Sequence, residues 1–309
     1  MNEPYIVLDD LRKSYGDTMA LRGLSLAVNR GELFGLIGPD GAGKTTAMRI
    51  TCGLVLPDGG SAKVLGFDCS SESRSVKERL GYMPQRFSLY QDLSVAENLR
   101  FFADMFGVSG DERRKREDRL MEFSRLGPFR ARRARDLSGG MKQKLALSCT
   151  LIHTPDVLVL DEPTTGVDPI SRKEFWNILN ELVSEGLAVL VSTPYMDEAA
   201  LCHRVALVHR GTMIAVGTPE EVTGHFRRKI LEITGREIHE AWLRLRREPS
   251  LVAEVHRFGD RLHVMYDTAL QAEGIRRNLA GLDVAFDTVE PTVEDTFVTL
   301  MSGPEAIQQ

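Results

Sequence analysis

The chain has 309 residues, 42% of them hydrophobic and 27% charged, with a formal net charge of −5. That length suits two ordinary domains or one large domain with an appendage, and the apolar content supplies a core. The acidic balance gives no electrostatic argument for nucleic acid or an anionic membrane, and no apolar run approaches the ~20 residues of a membrane helix. The opening MNEPYIVLDD has no basic stretch followed by an apolar one. No signal peptide is expected, and the chain is read as soluble by itself, any membrane crossing being left to a partner. Cys52, Cys69, Cys149 and Cys202 share no C-x-x-C spacing. They are read as reduced core thiols of a cytosolic chain, not as a metal knuckle.

Residues 5–28 alternate apolar and polar side chains between turn signals, which predicts short strands in a meander. Leu33 to Ile37 is a short apolar run, and helical character begins at Ala47. Between them stands Gly38-Pro39-Asp40-Gly41-Ala42-Gly43-Lys44-Thr45, followed by Thr46. This matches G-x-x-x-x-G-K-[ST], and strand, loop, helix is the context such a loop requires. Glycines let backbone N–H groups converge on phosphate oxygens, and the helix offers its positive end to the same anion. Lys44 then reaches the β- and γ-phosphates of ATP, and the Thr45 hydroxyl can ligate Mg²⁺.

Residues 93–151 read as almost wholly helical, including VAENLRFFADMFGV and MKQKLALSCTLI. Ser138 is a good N-cap, and Gly139 and Gly140 leave that helix N-terminus open to an anion. Val157 to Leu160 is an apolar strand ending in Asp161 and Glu162. Asp161 can hold Mg²⁺ through water, and Glu162 can polarise an attacking water as general base. Residues 171–186 form an amphipathic helix closed by Gly186, and a strand follows at 188–191. Alternating strands and helices predict a largely parallel sheet, with a helical subdomain inserted at about 86–151.

After Thr223 the composition changes. Strands at 230–234, near 251–258, 261–267 and 282–288, and helices at 237–247, 268–280 and near 292–301, predict a small β-α-β-β-α-β unit. Trp242 and Phe258 are read as its core, and the tail SGPEAIQQ as frayed. No internal repeat is evident. Basic clusters at 113–116 and 130–135 have acidic neighbours. A solvated helix face and a contact with lipid headgroups both remain open for them.

In order along the chain, the phosphate loop, LSGGMKQ and VLVLDEPTTGVDP resemble the ATPase subunit of an ATP-binding cassette (ABC) transporter over about residues 5–220. LGYMPQRFSLYQDLSVAENL, STPYMDEA and VEPTVEDTFVTLM are similar to bacterial exporter ATPases of the drug-efflux type. The resemblance implies an α/β P-loop core with an antiparallel β subdomain and an inserted α-helical subdomain at residues 1–223. A small α+β domain would follow at 224–309. It further implies that Tyr15 stacks on adenine, although a half-buried tyrosine at a strand end is equally compatible. Gln85 would touch Mg²⁺ or the water and sense the membrane partner. Ser138 and Gly140 would contact the γ-phosphate held by an opposite subunit, and Asp168 would sit at the dimer seam. Expected partners are a second cassette and integral membrane subunits, with no nucleic acid. The expected location is cytoplasmic, peripheral on the inner face of the membrane. Phe87, Leu89 and Tyr90 would be apolar contacts for the membrane subunit.

Two positions depart from the family pattern. Asp40 stands where asparagine is usual, either turned to solvent or weakening phosphate binding. Pro194 stands where the family has a histidine that hydrogen-bonds the γ-phosphate. Proline has no donor, and losing one such donor typically slows chemistry by about 10²–10³. The chain is therefore expected to bind ATP at its own site, to hydrolyse it slowly there, and to complete a competent site on a second cassette. A soluble ABC ATPase acting on ribosomes or DNA, and a nucleotide-binding regulatory protein, are the alternative readings. One cassette without sustained heptads or basic character speaks against the former.

Overall fold

The computed structural model describes residues 3–86, 89–224, 226–248, 251–252 and 254–302. The chain divides into two compact units, Met1–Pro219 and Glu220–Gln309.

The first unit opens with a hairpin of β1 (Ile6–Tyr15) and β2 (Thr18–Val28). These strands are long, not short, and the pairing shifts register between Leu8 and Leu11. The acidic pair Asp9 and Asp10 lies at that shift, with Asp10 at φ +46°. There the apolar alternation breaks and imitates a turn in the sequence. β4 (Gly59–Val64) and β5 (Phe67–Asp68) complete an antiparallel sheet in the order β2-β1-β4-β5, where β3 is the strand Leu33–Ile37 of the second sheet.

That second sheet has the order β10-β9-β3-β8-β7-β6, with β6 (Leu80–Met83), β7 (Val157–Asp161), β8 (Ala188–Thr193), β9 (Arg204–His209) and β10 (Thr212–Gly217). From β6 to β9 neighbouring strands are parallel, and β10 is antiparallel to β9. Every residue of β3, β7 and β8 is buried, as continuous apolar runs in a parallel sheet require.

α1 (Lys44–Thr51) packs against both sheets. Its Ala47, Met48 and Ile50 share one core with Ile6 and Leu8 of β1, Phe34 and Leu36 of β3, and Val157 and Val159 of β7. It starts at Lys44, earlier than its first apolar residue, because Gly43 in a left-handed conformation turns the loop directly into the helix. α2 (Ser73–Arg79) precedes β6. The inserted helical segment contains α3 (Val95–Met105), α4 (Gly110–Phe123) and α5 (Gly139–Leu151), with two short 3₁₀ turns between the last two. Ser94 and Glu97 close a capping box on α3. α6 (Pro169–Ser184) follows β7. All four cysteines are free and buried, and burial pushes the Cys69 thiol up to about 12, which leaves little reactive thiolate.

The second unit begins with α7 (Pro219–Thr223) at the division. It has the antiparallel order β12-β13-β11-β14, built from β11 (Lys229–Gly235), β12 (Glu254–Phe258), β13 (Arg261–Tyr266) and β14 (Val284–Val289). α8 (Ile238–Arg247) and α9 (Ala269–Asn278) cover the face bearing Leu231, Ile233, Leu262 and Val264. Trp242 joins that core, whereas Phe258 stands edge-on to His263 with ring centroids 4.9 Å apart. Alternation along β13 puts His263 on the other face, where its Nδ1 lies 2.6 Å from Asp295 Oδ1 of α10 (Val293–Ser302). No helix among the described residues is long and apolar enough to cross a membrane.

Candidate nucleotide site

The loop between β3 and α1 is shaped by glycines that nothing larger could replace. A Cβ on Gly38 would lie 2.1 Å from the Val208 carbonyl oxygen. Gly41 and Gly43 adopt φ of +77° and +101°, the left-handed region that L side chains avoid. A Cβ on Gly41 would meet nothing within 4 Å, so the loop's mouth is open there. Ala42 is buried, Pro39 is half-buried and Asp40 is exposed.

Lys44 is buried, its side chain 3% exposed. Its ammonium donates to the carbonyls of Gly38 at 2.7 Å and Pro39 at 3.0 Å, and pairs with Glu162 Oε1 at 3.2 Å. The sequence motif supplies the lysine but does not reveal that its partners are two loop carbonyls and the carboxylate just past β7. Glu162 follows the strand at φ +50°, an unfavourable backbone for a residue with a side chain. Its N–H reaches both the hydroxyl and the carbonyl of Ser192 on β8, at 3.0 and 3.2 Å. Gln85, past the end of β6, donates through Nε2 to Glu162 Oε2 at 2.8 Å. Thus Lys44 and Gln85 take one oxygen each of the same carboxylate.

Asp161 is 1% exposed. Its Oδ1 accepts from the hydroxyls of Ser192 at 2.7 Å and Thr45 at 3.1 Å. Its Oδ2 is buried and has no hydrogen-bond partner. An orphaned carboxylate oxygen beside a threonine hydroxyl is a hard oxygen donor set of the kind Mg²⁺ takes. Thr46 is half-buried on the first turn of α1.

The Pro194 turn is anchored from both sides. Thr193 at the end of β8 donates its hydroxyl to Glu198, and accepts from the Tyr195 N–H at 3.0 Å. The Tyr195 ring lies under the Arg172 guanidinium, 4.3 Å from its centroid. Glu198, 1% exposed, also accepts from Thr164 at 2.8 Å and from Trp176 Nε1 at 3.0 Å. Neither Ser192 nor Glu198 was picked out by reading the sequence. A signal existed in part: an interior tryptophan needs an acceptor for its N–H.

The remaining expected site residues make other contacts. Ser138 caps α5 by accepting from the Met141 N–H at 3.3 Å. A Cβ on Gly140 would come 2.4 Å from both Cβ and Oγ of Ser171, so the start of α5 is pressed against the start of α6. Gly139 is exposed. Asp168 caps α6 through Ser171 N–H at 2.9 Å, and that bond holds its carboxyl below the usual range. Among the described residues no hydrogen bond or ion pair joins Ser138, Gly139, Gly140 or Asp168 to Lys44, Asp161 or Glu162. Tyr15 is 49% exposed, next to the tight turn of the β1–β2 hairpin, with Lys13 Nζ 5.6 Å from its ring centroid.

Of the apolar loop residues, Phe87 lies outside the described residues, Leu89 is buried and Tyr90 is exposed against Phe101, centroids 4.4 Å apart. Members of the basic clusters are ion-paired, Arg116 to Glu112 at 2.8 Å and Arg130 to Asp118 at 2.9 Å among them.

The family model described as ABC transporter matches residues 21–165. Over 306 residues the chain is 41% identical to the "Probable multidrug ABC transporter ATP-binding protein YbhF" of Escherichia coli (strain K12), covering 98% of the chain and 53% of that relative. The chain thus spans about half of that relative's length. It is 41% identical over 223 residues to the "Nod factor export ATP-binding protein I" of Ralstonia nicotianae, covering 72% of the chain and 70% of the relative. Among solved structures, cbiO1 of Clostridium perfringens, titled part of the ABC transporter complex cbiONQ, aligns with a TM-score of 0.67 at 28% identity. That alignment covers 81% of this chain and 99% of the other.

Proposed function

The chain belongs to the ABC transporter family of ATP-binding subunits, and on that premise we propose that it binds and hydrolyses ATP to drive export through separate membrane subunits. One observation carries the reading: the buried ammonium of Lys44, held at the phosphate loop, touches the carboxylate of Glu162 at the end of β7. A triphosphate entering the loop meets the open space at Gly41 and the N-terminus of α1. Lys44 turns from Glu162 to the β- and γ-phosphates. That frees one oxygen of Glu162 to accept a proton from the attacking water, while Gln85 Nε2 still orients the other. Asp161 and Thr45 would hold Mg²⁺, whose charge neutralises the phosphate oxygens as negative charge develops. Tyr15 supplies an exposed ring for adenine.

Among the described residues Ser138 to Gly140 and Asp168 share no hydrogen bond or ion pair with Lys44, Asp161 or Glu162, which supports a head-to-tail pair of cassettes. Each LSGGMKQ segment would then complete the other chain's site. At the chain's own site Pro194 has no N–H or side-chain donor to offer the γ-phosphate, so hydrolysis there is slow. Tyr195, its ring engaged by Arg172, is a poor substitute. Exposed Tyr90, Phe101, Met105 and Phe106 offer an apolar contact for the membrane subunits. The relatives' names, multidrug transport and Nod factor export, support an exporter, whose cargo the membrane chains would select. The chain would then work peripherally on the cytoplasmic face.

The test is affinity purification of the tagged chain from detergent-solubilised membranes. A polytopic membrane protein should co-purify, and the slow ATPase activity of the chain's own site, measured on the purified chain, should be abolished by Glu162→Gln. Recovery of the chain alone, or activity indifferent to Glu162→Gln, rejects the proposal.

A further inference from the structure

Glu198 is not a member of the nucleotide cluster, yet it ties that cluster to the segment running to Asp168. Its carboxylate is 1% exposed and accepts from three elements. Oε2 takes the Thr193 hydroxyl at the end of β8. Oε1 takes the Thr164 hydroxyl at 2.8 Å and Trp176 Nε1 of α6 at 3.0 Å. Arg172 of α6 stands 3.6 Å away and supplies the countercharge that a buried carboxylate requires.

Each contact leads somewhere functional. Thr193 adjoins Ser192, whose hydroxyl bonds to Asp161 and whose carbonyl and hydroxyl receive Glu162 N–H. Thr164 begins a turn closed by Val167 N–H to Thr164 O at 3.1 Å, and the next residue, Asp168, caps α6. α6 returns Arg172 and Trp176 to Glu198, and its Ser171 abuts Gly140 at the signature. We propose that Glu198 is a positioning residue that holds the Thr193–Tyr195 turn and the 162–168 loop as one rigid unit, so that the hydrolytic end of a site and the opposite-facing loop move together. The inference rests on the nucleotide-site reading. The physical reason for a carboxylate is that its two oxygens, with no hydrogen to donate, can accept from three side-chain donors at once while an arginine stands beside them.

The test uses the full chain with Glu198→Gln, and with Thr193→Val as a second variant that leaves Glu198 charged and spares Trp176. Measured are amide exchange of residues 163–168, the affinity for ATP, and kcat and KM for MgATP. Expected is faster exchange in 163–168 for both variants, although Thr193 is far from that loop in sequence. ATP affinity and KM should stay within about threefold, and kcat should fall at least about tenfold, since misplacing reacting groups by 1 Å can cost about 10²-fold. Unchanged exchange in 163–168, or a kcat loss matched by a rise in KM, overturns the role of Glu198. Loss of ATP binding by the unmodified chain would instead overturn the nucleotide-site reading and, with it, this inference.

Discussion

Replacing Lys44 by methionine removes an ammonium whose side chain is 3% exposed and leaves a side chain of similar length. Three acceptors lose their donor: the carbonyls of Gly38 and Pro39, and Glu162 Oε1. Breaking a buried ion pair from one side costs about 3–5 kcal/mol. Glu162 keeps its bond from Gln85 Nε2 at 2.8 Å, so the lower end applies, about 3 kcal/mol near pH 8. Adding Glu162→Gln removes the stranded charge, so the double variant should recover about 2 kcal/mol. It should not recover ATP binding, which needs the ammonium itself. The assay is urea unfolding followed by Trp176, in a Trp242→Phe background so that one tryptophan reports on the first unit, alongside titration with a fluorescent ATP analogue. A coupling below about 0.5 kcal/mol between the two substitutions would refute the buried pair.

Gly140→Ala drives a Cβ into Ser171, 2.4 Å away. Overpacking of this kind costs about 1–3 kcal/mol, and Ser171→Gly should relieve it, as read from the same unfolding midpoint. In the second unit, burial pulls the His263 pKa down, but its bonds to Asp295 and Glu232 outweigh that and leave it raised. Burial raises Asp295, but its bonds to His263 and Thr292 leave it lowered. The histidine's contribution is complete below its unfolded value of about 6.5 and is lost as pH rises through the higher folded pKa. The aspartate's is complete above about 3.9 and is lost as pH falls through the depressed folded pKa. Urea midpoints of residues 229–266, read by pulse-labelled hydrogen exchange, should therefore be highest between those limits, and His263→Gln should flatten the basic limb.

The nucleotide loop was legible because its chemistry is local: strand, glycines, lysine and helix follow one another within β3 to α1. The same holds for Ser138, whose capping bond reaches only three residues ahead, whereas Asp168 entered through the family resemblance alone and its cap on α6 is seen only in the structure. The β-α-β-β-α-β order of the second unit followed from runs of apolar residues whose period changes. What stayed hidden depends on long-range pairing. Ser192 reaches Asp161 because β8 lies beside β7. Glu198 looks like one of two acids on a solvated turn, and only the approach of Thr164 and Trp176 reveals its burial. The length of β1 and β2 is hidden for the same reason: register shifts, the first at Asp9 and Asp10, interrupt the alternation and make two long strands look short.

Steady-state hydrolysis of MgATP by the purified chain, with and without Pro194→His, bears most directly on the central claim that the site binds ATP but turns it over slowly. The turn is fixed by the Thr193 hydroxyl, which donates to Glu198 and accepts from the Tyr195 N–H, so a histidine at 194 would enter it without removing either bond. The account predicts a rise in kcat of at least about tenfold with ATP affinity unchanged, since one such donor is worth about 10²–10³. Family-typical turnover by the unmodified chain, or a kcat that Pro194→His leaves within about twofold where about 10²–10³ is at stake, would contradict it.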